Sequence, residues 1–145
     1  MTKMTIPTLT PTQRVLLIGV ELRGTTSMLM INDSLDELEQ LTNTAGMSVV
    51  GRMYQKLRVP NPSTYIGSGK ITELIDLVDT TAADVVVFDS ELSPRNQREL
   101  EKLLGDNTQI IDRTALILDI FASDANTREG GLQVELAQYE YRLPR

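Results

Sequence analysis

Two kinds of segment alternate along the chain, told apart by how their hydrophobic positions are spaced. Residues 14–22 (RVLLIGVEL), 47–57 (MSVVGRMYQKL), 84–89 (DVVVFD) and 108–112 (TQIID) are short runs rich in β-branched residues and Leu. Such near-continuous apolar runs are the pattern of strands covered on both faces. Between them the apolar residues recur every three or four positions, as one face of a helix requires. Leu35, Leu38 and Leu41 form the first such stripe, Ile71, Leu74, Ile75 and Val78 the second, and Leu100, Leu103 and Leu104 the third. A fourth helix is expected over 114–121.

Local punctuation supports these boundaries. Ser34 with Glu37 three residues on is a capping-box pattern, and Gly46 stands where a left-handed stop is needed. Ser93-Pro94 places a cap before Pro at the first helical position, and Gly105 ends that helix. Strands alternating with helices of about three turns predict βαβ units. The fold expected is therefore α/β, a four-stranded mostly parallel sheet in the order 2-1-3-4 with helices on both faces. No internal repeat is present.

The end of the chain reads differently. Leu132, Leu136, Tyr139 and Leu143 follow a 4-3-4 spacing, the seam of a coiled coil or antiparallel helix pair. Two heptads are too short to be stable alone. Two readings stay open, an amphipathic helix packed on the sheet and the truncated start of a longer helical linker. The division expected is thus a disordered leader over 1–13, an α/β domain over 14–127 and the start of a helical element over 128–145.

Composition narrows the chemistry. With 145 residues, 41% of them apolar and 23% charged, the chain is of ordinary globular make-up. Neither Cys nor His occurs, which removes disulfides, thiolate nucleophiles, Cys/His zinc sites and Ser-His-Asp triads. A net charge of −6 argues against binding nucleic acid by bulk positive charge, but not against a local basic patch. The Thr/Pro-rich opening, MTKMTIPTLTPTQ, has no apolar core for a signal peptide or membrane span, so the expected location is cytoplasmic.

Candidate site residues cluster around one turn. Tyr65-Ile66-Gly67-Ser68-Gly69-Lys70 is a Gly-rich passage into a helix, where backbone N–H groups and Lys70 can face a phosphate. It is not a Walker A loop, because Ile71 stands where Ser or Thr should hold Mg²⁺ and Thr64 where the first glycine belongs. Thr72 likewise replaces the third glycine of the dinucleotide fingerprint. The competing structural reading is a tight turn that uses glycines for positive φ. Arg52, Lys56 and Arg58 precede the turn, and Arg95, Arg98 and Lys102 gather on the third helix, interleaved there with Glu99 and Glu101. Asp89 and Asp112 fall at carboxyl ends of strands, where doubly wound proteins place ligands. A phospho-accepting role for Asp89 lacks its acidic partners, since Glu21 is followed by Arg23-Gly24-Thr25-Thr26. It reads better as a turn residue.

Three longer segments carry a resemblance. STYIGSGKITELIDLV, DVVVFDSELSPRNQRELEKLLG and IIDRTALILDIFASDANTREGGLQVELAQYEYRLPR, in that order, resemble the N-terminal region of the HflX family of translation-associated GTPases. The run from Asp112 to Phe121 and LQVELAQ from Leu132 are the most distinctive parts. The resemblance covers everything after the leader. It implies an α/β N-terminal domain, then two long antiparallel helices, then a GTPase domain with the P-loop and Mg²⁺ site. It also implies GTP-dependent association with the large ribosomal subunit, ribosome splitting, and no membrane span. GTP and Mg²⁺ are expected in that missing GTPase domain, with no cofactor and no enzymatic activity in this chain.

Two departures from the family stand out. Gly130-Gly131 interrupts helix-forming sequence, and Gly24 to Ile31 (GTTSMLMI) is an unusually long and apolar link. On this footing the chain is expected to dock on ribosomal RNA or to modulate the missing helical and GTPase domains. Arg52, Arg58, Tyr65, Gly67, Ser68, Gly69 and Lys70 are the contact candidates, Tyr65 by stacking on a base and the glycines by letting phosphate approach. The alternatives are a weak nucleotide-binding module without a P-loop, and an intramolecular interaction domain that touches no RNA.

Overall fold

A computed structural model describes residues 12–24 and 27–126. The elements run β1 (Arg14–Leu22), α1 (Met28–Thr44), β2 (Ser48–Leu57), α2 (Ser68–Thr81), β3 (Val85–Phe88), α3 (Pro94–Leu104), β4 (Gln109–Asp112) and α4 (Arg113–Asn126). The strands form a sheet in the order β2-β1-β3-β4, and every neighbouring pair is parallel. This is the expected topology. Most of the leader expected over 1–13 and the whole heptad seam from Leu132, with Gly130-Gly131, lie outside the described residues.

Alternation along β1 sorts its side chains between two cores. Leu16, Ile18 and Val20 face α2 and α3, joining Ile71, Leu74 and Leu100. Val15 and Leu17 face α1 and α4, joining Ile31, Leu35, Leu38 and Leu116. A register shift in β2 sets Val15 opposite Val49 and Leu16 opposite Gly51, so Val50 is the extra residue of a bulge. α1 lies so close over β1 that a Cβ on Gly19 would sit 2.7 Å from Ile31 Cγ2 and 2.8 Å from Leu35 Cδ1. Glycine at that position is what lets the helix reach the sheet.

The first helix begins earlier than its Ser34 pattern suggests. Ser27 is the N-cap, its hydroxyl accepting from the Met30 N–H at 3.2 Å. The apolar run 28–31 is therefore not a link but the first turn of α1. Burial of Ile31 against Gly19 holds that turn in place, while Met28, Leu29 and Met30 stay exposed. Ser34, inside the helix, turns its hydroxyl to Arg113 instead of capping. Elsewhere the punctuation holds: Gly46 and Gly105 have φ of 85 and 88. Ser93 and Asn96 cap α3 reciprocally, with Pro94 following Ser93.

Candidate functional site

The carboxyl ends of the strands carry the loop from Arg58 to Gly67 that leads into α2. Its shape comes from its own polar residues. The Asn61 side chain accepts from the Ser63 N–H at 2.8 Å and the Thr64 N–H at 3.3 Å, an Asx-type turn around Pro62. Asn61 and Tyr65 also exchange backbone hydrogen bonds of 2.9 and 3.0 Å. Next, the Ile66 N–H donates to the Thr64 carbonyl at 2.7 Å across Tyr65, closing a γ-turn.

Tyr65 pays a conformational cost there, with φ 67, where an L residue loses about 1–2 kcal/mol. The glycines do not take the positive φ that a tight-turn reading assigns them. Gly67 has φ −73 as the N-cap of α2, and Gly69 lies inside the helix.

Two distant side chains clamp this loop. Gln55 on β2 accepts from the Gly67 N–H at 3.0 Å. Asn96 on α3 donates to the Pro62 and Ser63 carbonyls, both at 3.0 Å. Asn96 is buried, so its amide links the loop to the core while its oxygen accepts from the Ser93 N–H.

The sequence candidates divide into engaged and available groups. Arg52 is engaged: it bonds Asp36 at 2.7 Å and Glu39 at 2.9 Å, both on α1. The hydrogen bond to Asp36 does most to raise its pKa above the ordinary guanidinium value, against the opposing effect of partial burial. The Tyr65 ring is half-buried, edge-on to Phe88 with centroids 6.4 Å apart. Lys70 reaches Glu73 at 3.2 Å.

Arg58, Ser68 and Gly69 are exposed. Arg58 has no salt-bridge partner among the described residues. No side chain caps α2, whose N-cap residue Gly67 gives its own N–H to Gln55. Of the other basic residues, Lys56 lies 3.9 Å from Glu21 and Lys102 3.4 Å from Glu99.

A charged cluster at the same edge of the sheet escapes sequence reading. Arg113, first residue of α4, bonds Asp89 at 3.0 Å and Glu37 at 2.7 Å, and the Ser34 carbonyl and hydroxyl at 2.7 and 2.9 Å. Burial pulls its pKa down, but the hydrogen bonds to Glu37 and Asp89 outweigh that and hold it above the ordinary value. Asp89, a turn residue by sequence, is thus half of an ion pair. Asp112 accepts from the Leu92 and Ala115 N–H groups, both at 3.0 Å, so it caps α4 and holds the β3–α3 connection. Only the run of Asp112-Arg113 at a strand end hinted at either role.

The loop before α2 lacks the residue pattern of a P-loop. Among the described residues no group of three or more acidic side chains is arranged to hold a metal ion. Ile71 follows Lys70 where a hydroxyl ligand would stand. No described helix is long and apolar enough to cross a membrane.

A family model for the GTP-binding GTPase N-terminal domain matches residues 32–122. GTPase HflX of Alkalihalophilus pseudofirmus is 46% identical over 133 residues, 92% of this chain and 30% of that protein. GTPase HflX of Escherichia coli K12 is 43% identical over 113 residues, 78% of this chain and 26% of that protein. The chain therefore spans less than a third of the length of these curated relatives. A GTP-binding protein from Sulfolobus solfataricus, solved with GDP, shares the fold with a TM-score of 0.65 at 23% identity, over 91% of this chain and 37% of that one.

Proposed function

The chain belongs to the family of GTP-binding GTPase N-terminal domains, of HflX type, and from that premise we propose that it docks its parent GTPase on ribosomal RNA of the large subunit. In this reading the parent associates with the large subunit and can split ribosomes in the cytoplasm. GTP and Mg²⁺ belong to its GTPase domain, and the present residues bind and position without turning over substrate. The observation that carries the proposal is the clamped loop before α2. Gln55 and Asn96 fix it, Tyr65 holds a costly φ within it, exposed Arg58 opens it, and the start of α2 that closes it has no side-chain cap. Strained backbone that the surroundings over-determine tends to cluster at functional surfaces. A helix start with free N–H groups attracts phosphate oxygens.

The contact set is narrower than the sequence alone suggests. Arg58, Ser68, Gly69 and Lys70 present donors, whereas Arg52 and the Tyr65 ring serve the fold. Gly67 contributes its close approach rather than its N–H, which Gln55 takes.

Co-sedimentation of the 145-residue chain with isolated large subunits tests this. Arg58→Glu with Lys70→Glu is expected to weaken binding at least tenfold at about 0.1 M salt and to flatten its salt dependence. Unchanged affinity and slope would refute RNA contact and leave the intramolecular interaction domain. Heat on titrating the chain with millimolar GTP and Mg²⁺ would favour the weak nucleotide-binding module instead.

A further inference from the structure

The opposite edge of the sheet, where the strands begin, carries a second surface that the docking loop does not use. α2 and α3 both end there, and between their carboxyl ends lies an open groove of about 710 Å³. Ile75, Val78, Ala82 and Leu104 line it, and Ile75 is 41% exposed. A second hollow of about 690 Å³ adjoins it, sharing Asp84, Asn107 and Thr108, and the two together are called the trough.

The charge around this trough is of a single sign. Asp76, Asp79 and Asp84 rim the first part, Glu101 and Asp106 the second, and no Lys or Arg lines either. Asp76, Asp79, Glu101 and Asp106 have no salt-bridge partner among the described residues. Arg14, at the start of β1, donates its Nε–H to the Thr81 carbonyl at 2.8 Å and its backbone N–H to Asp84. Arg14 therefore stands beside Asp84, while Asp76, Asp79, Glu101 and Asp106 keep no ion-pair partner among the described residues.

We propose that this trough is a protein-docking surface for a basic amphipathic helix, with apolar side chains at i and i+4 seated on Ile75, Val78 and Leu104 and Lys or Arg flanking them. The charge chooses the class of occupant. Phosphate backbones are repelled by five carboxylates on one rim, and a second copy of this chain, at net charge −6, brings the same sign. A helix laid between two helices buries its apolar stripe while its cations meet the unpaired carboxylates. The proposal is independent of ribosome docking, because it concerns the other edge of the sheet.

Three probes test it on the 145-residue chain: an 18-residue Leu/Lys amphipathic helix, its Leu/Glu counterpart, and a single-stranded RNA of similar length. Titration followed by backbone amide NMR is expected to show saturable shifts over residues 72–84 and 101–108 with the Leu/Lys helix alone. Ile75→Ser, and separately Asp76→Asn with Asp79→Asn, should each weaken that binding at least fivefold. Both change exposed side chains, and an unaltered circular dichroism spectrum confirms that the fold persists. The proposal fails if the Leu/Lys helix does not bind, if its shifts fall elsewhere, or if the variants leave affinity unchanged. It also fails if the Leu/Glu helix or the RNA shifts these same residues, or if the shifts track self-association on raising the chain's concentration.

Discussion

On one face of the sheet α1 and α4 pack on each other as well as on the strands, and Arg113 stitches them together at the top. On the other face α2 and α3 pack on the strands and leave a trough between their ends. Both faces have a buried apolar floor, so hydrophobic burial does not distinguish them. The difference lies in what bridges the helices. A guanidinium with a forked set of donors can satisfy Asp89, Glu37 and Ser34 at once, and it closes the first face. The second has its carboxylates at the opposite edge, where the strands begin, and no Lys or Arg lines the trough there. A closed face suits holding the fold, and an open one suits receiving something.

The sharpest way to break this contrast is a pair of truncations. Leu35→Ala should cost about 2–5 kcal/mol in urea unfolding, because Leu35 is fully buried on the sheet-facing side of α1, against Gly19. Ile75→Ser on the open face should change stability by no more than about 0.5 kcal/mol. Equal losses would mean that the two faces are packed alike.

Arg113→Met comes next. It leaves Asp89, 9% exposed, without its cation, and after allowance for the partial exposure of the pair it should destabilise by about 2–3 kcal/mol. Arg113→Lys should recover only part of this, since an ammonium cannot reach Asp89, Glu37 and Ser34 together. Full recovery by Lys in the same unfolding experiment would reduce the stitch to simple charge.

The smallest effect sharpens the picture of the open face. Ala82 ends α2 in the left-handed region at φ 54. Ala82→Gly removes the Cβ penalty there and should stabilise by about 0.5–1 kcal/mol, net of glycine's greater freedom when unfolded. Differential scanning calorimetry would show it as a rise in Tm.

Much of the architecture was legible from local pattern because its causes are local. The runs 14–22 and 84–89 have only one way to bury both faces, and Ser93-Pro94 with Gly46 and Gly105 mark helix ends by their own backbone needs. The start of α1 was not legible. Ser27 and Ser34 are equally good caps in isolation, and the choice fell to Ile31 meeting Gly19, a contact made across the β1–α1 connection. The candidate site suffered more, since Arg52 read as an available cation until its carboxylates on α1 were placed.

By itself, then, the sequence determined the alternation of strands and helices, a parallel sheet, the caps of α3 and the likeness to HflX proteins. Spacing, turn chemistry and composition are properties of neighbours along the chain. Tertiary structure alone decided that Tyr65 and not a glycine takes the positive φ, that Arg113 joins α1 to β3, and that α2 and α3 leave an acidic trough. Each of these depends on groups brought together from separate elements, and charge pairing at a distance leaves no periodic trace in a linear chain.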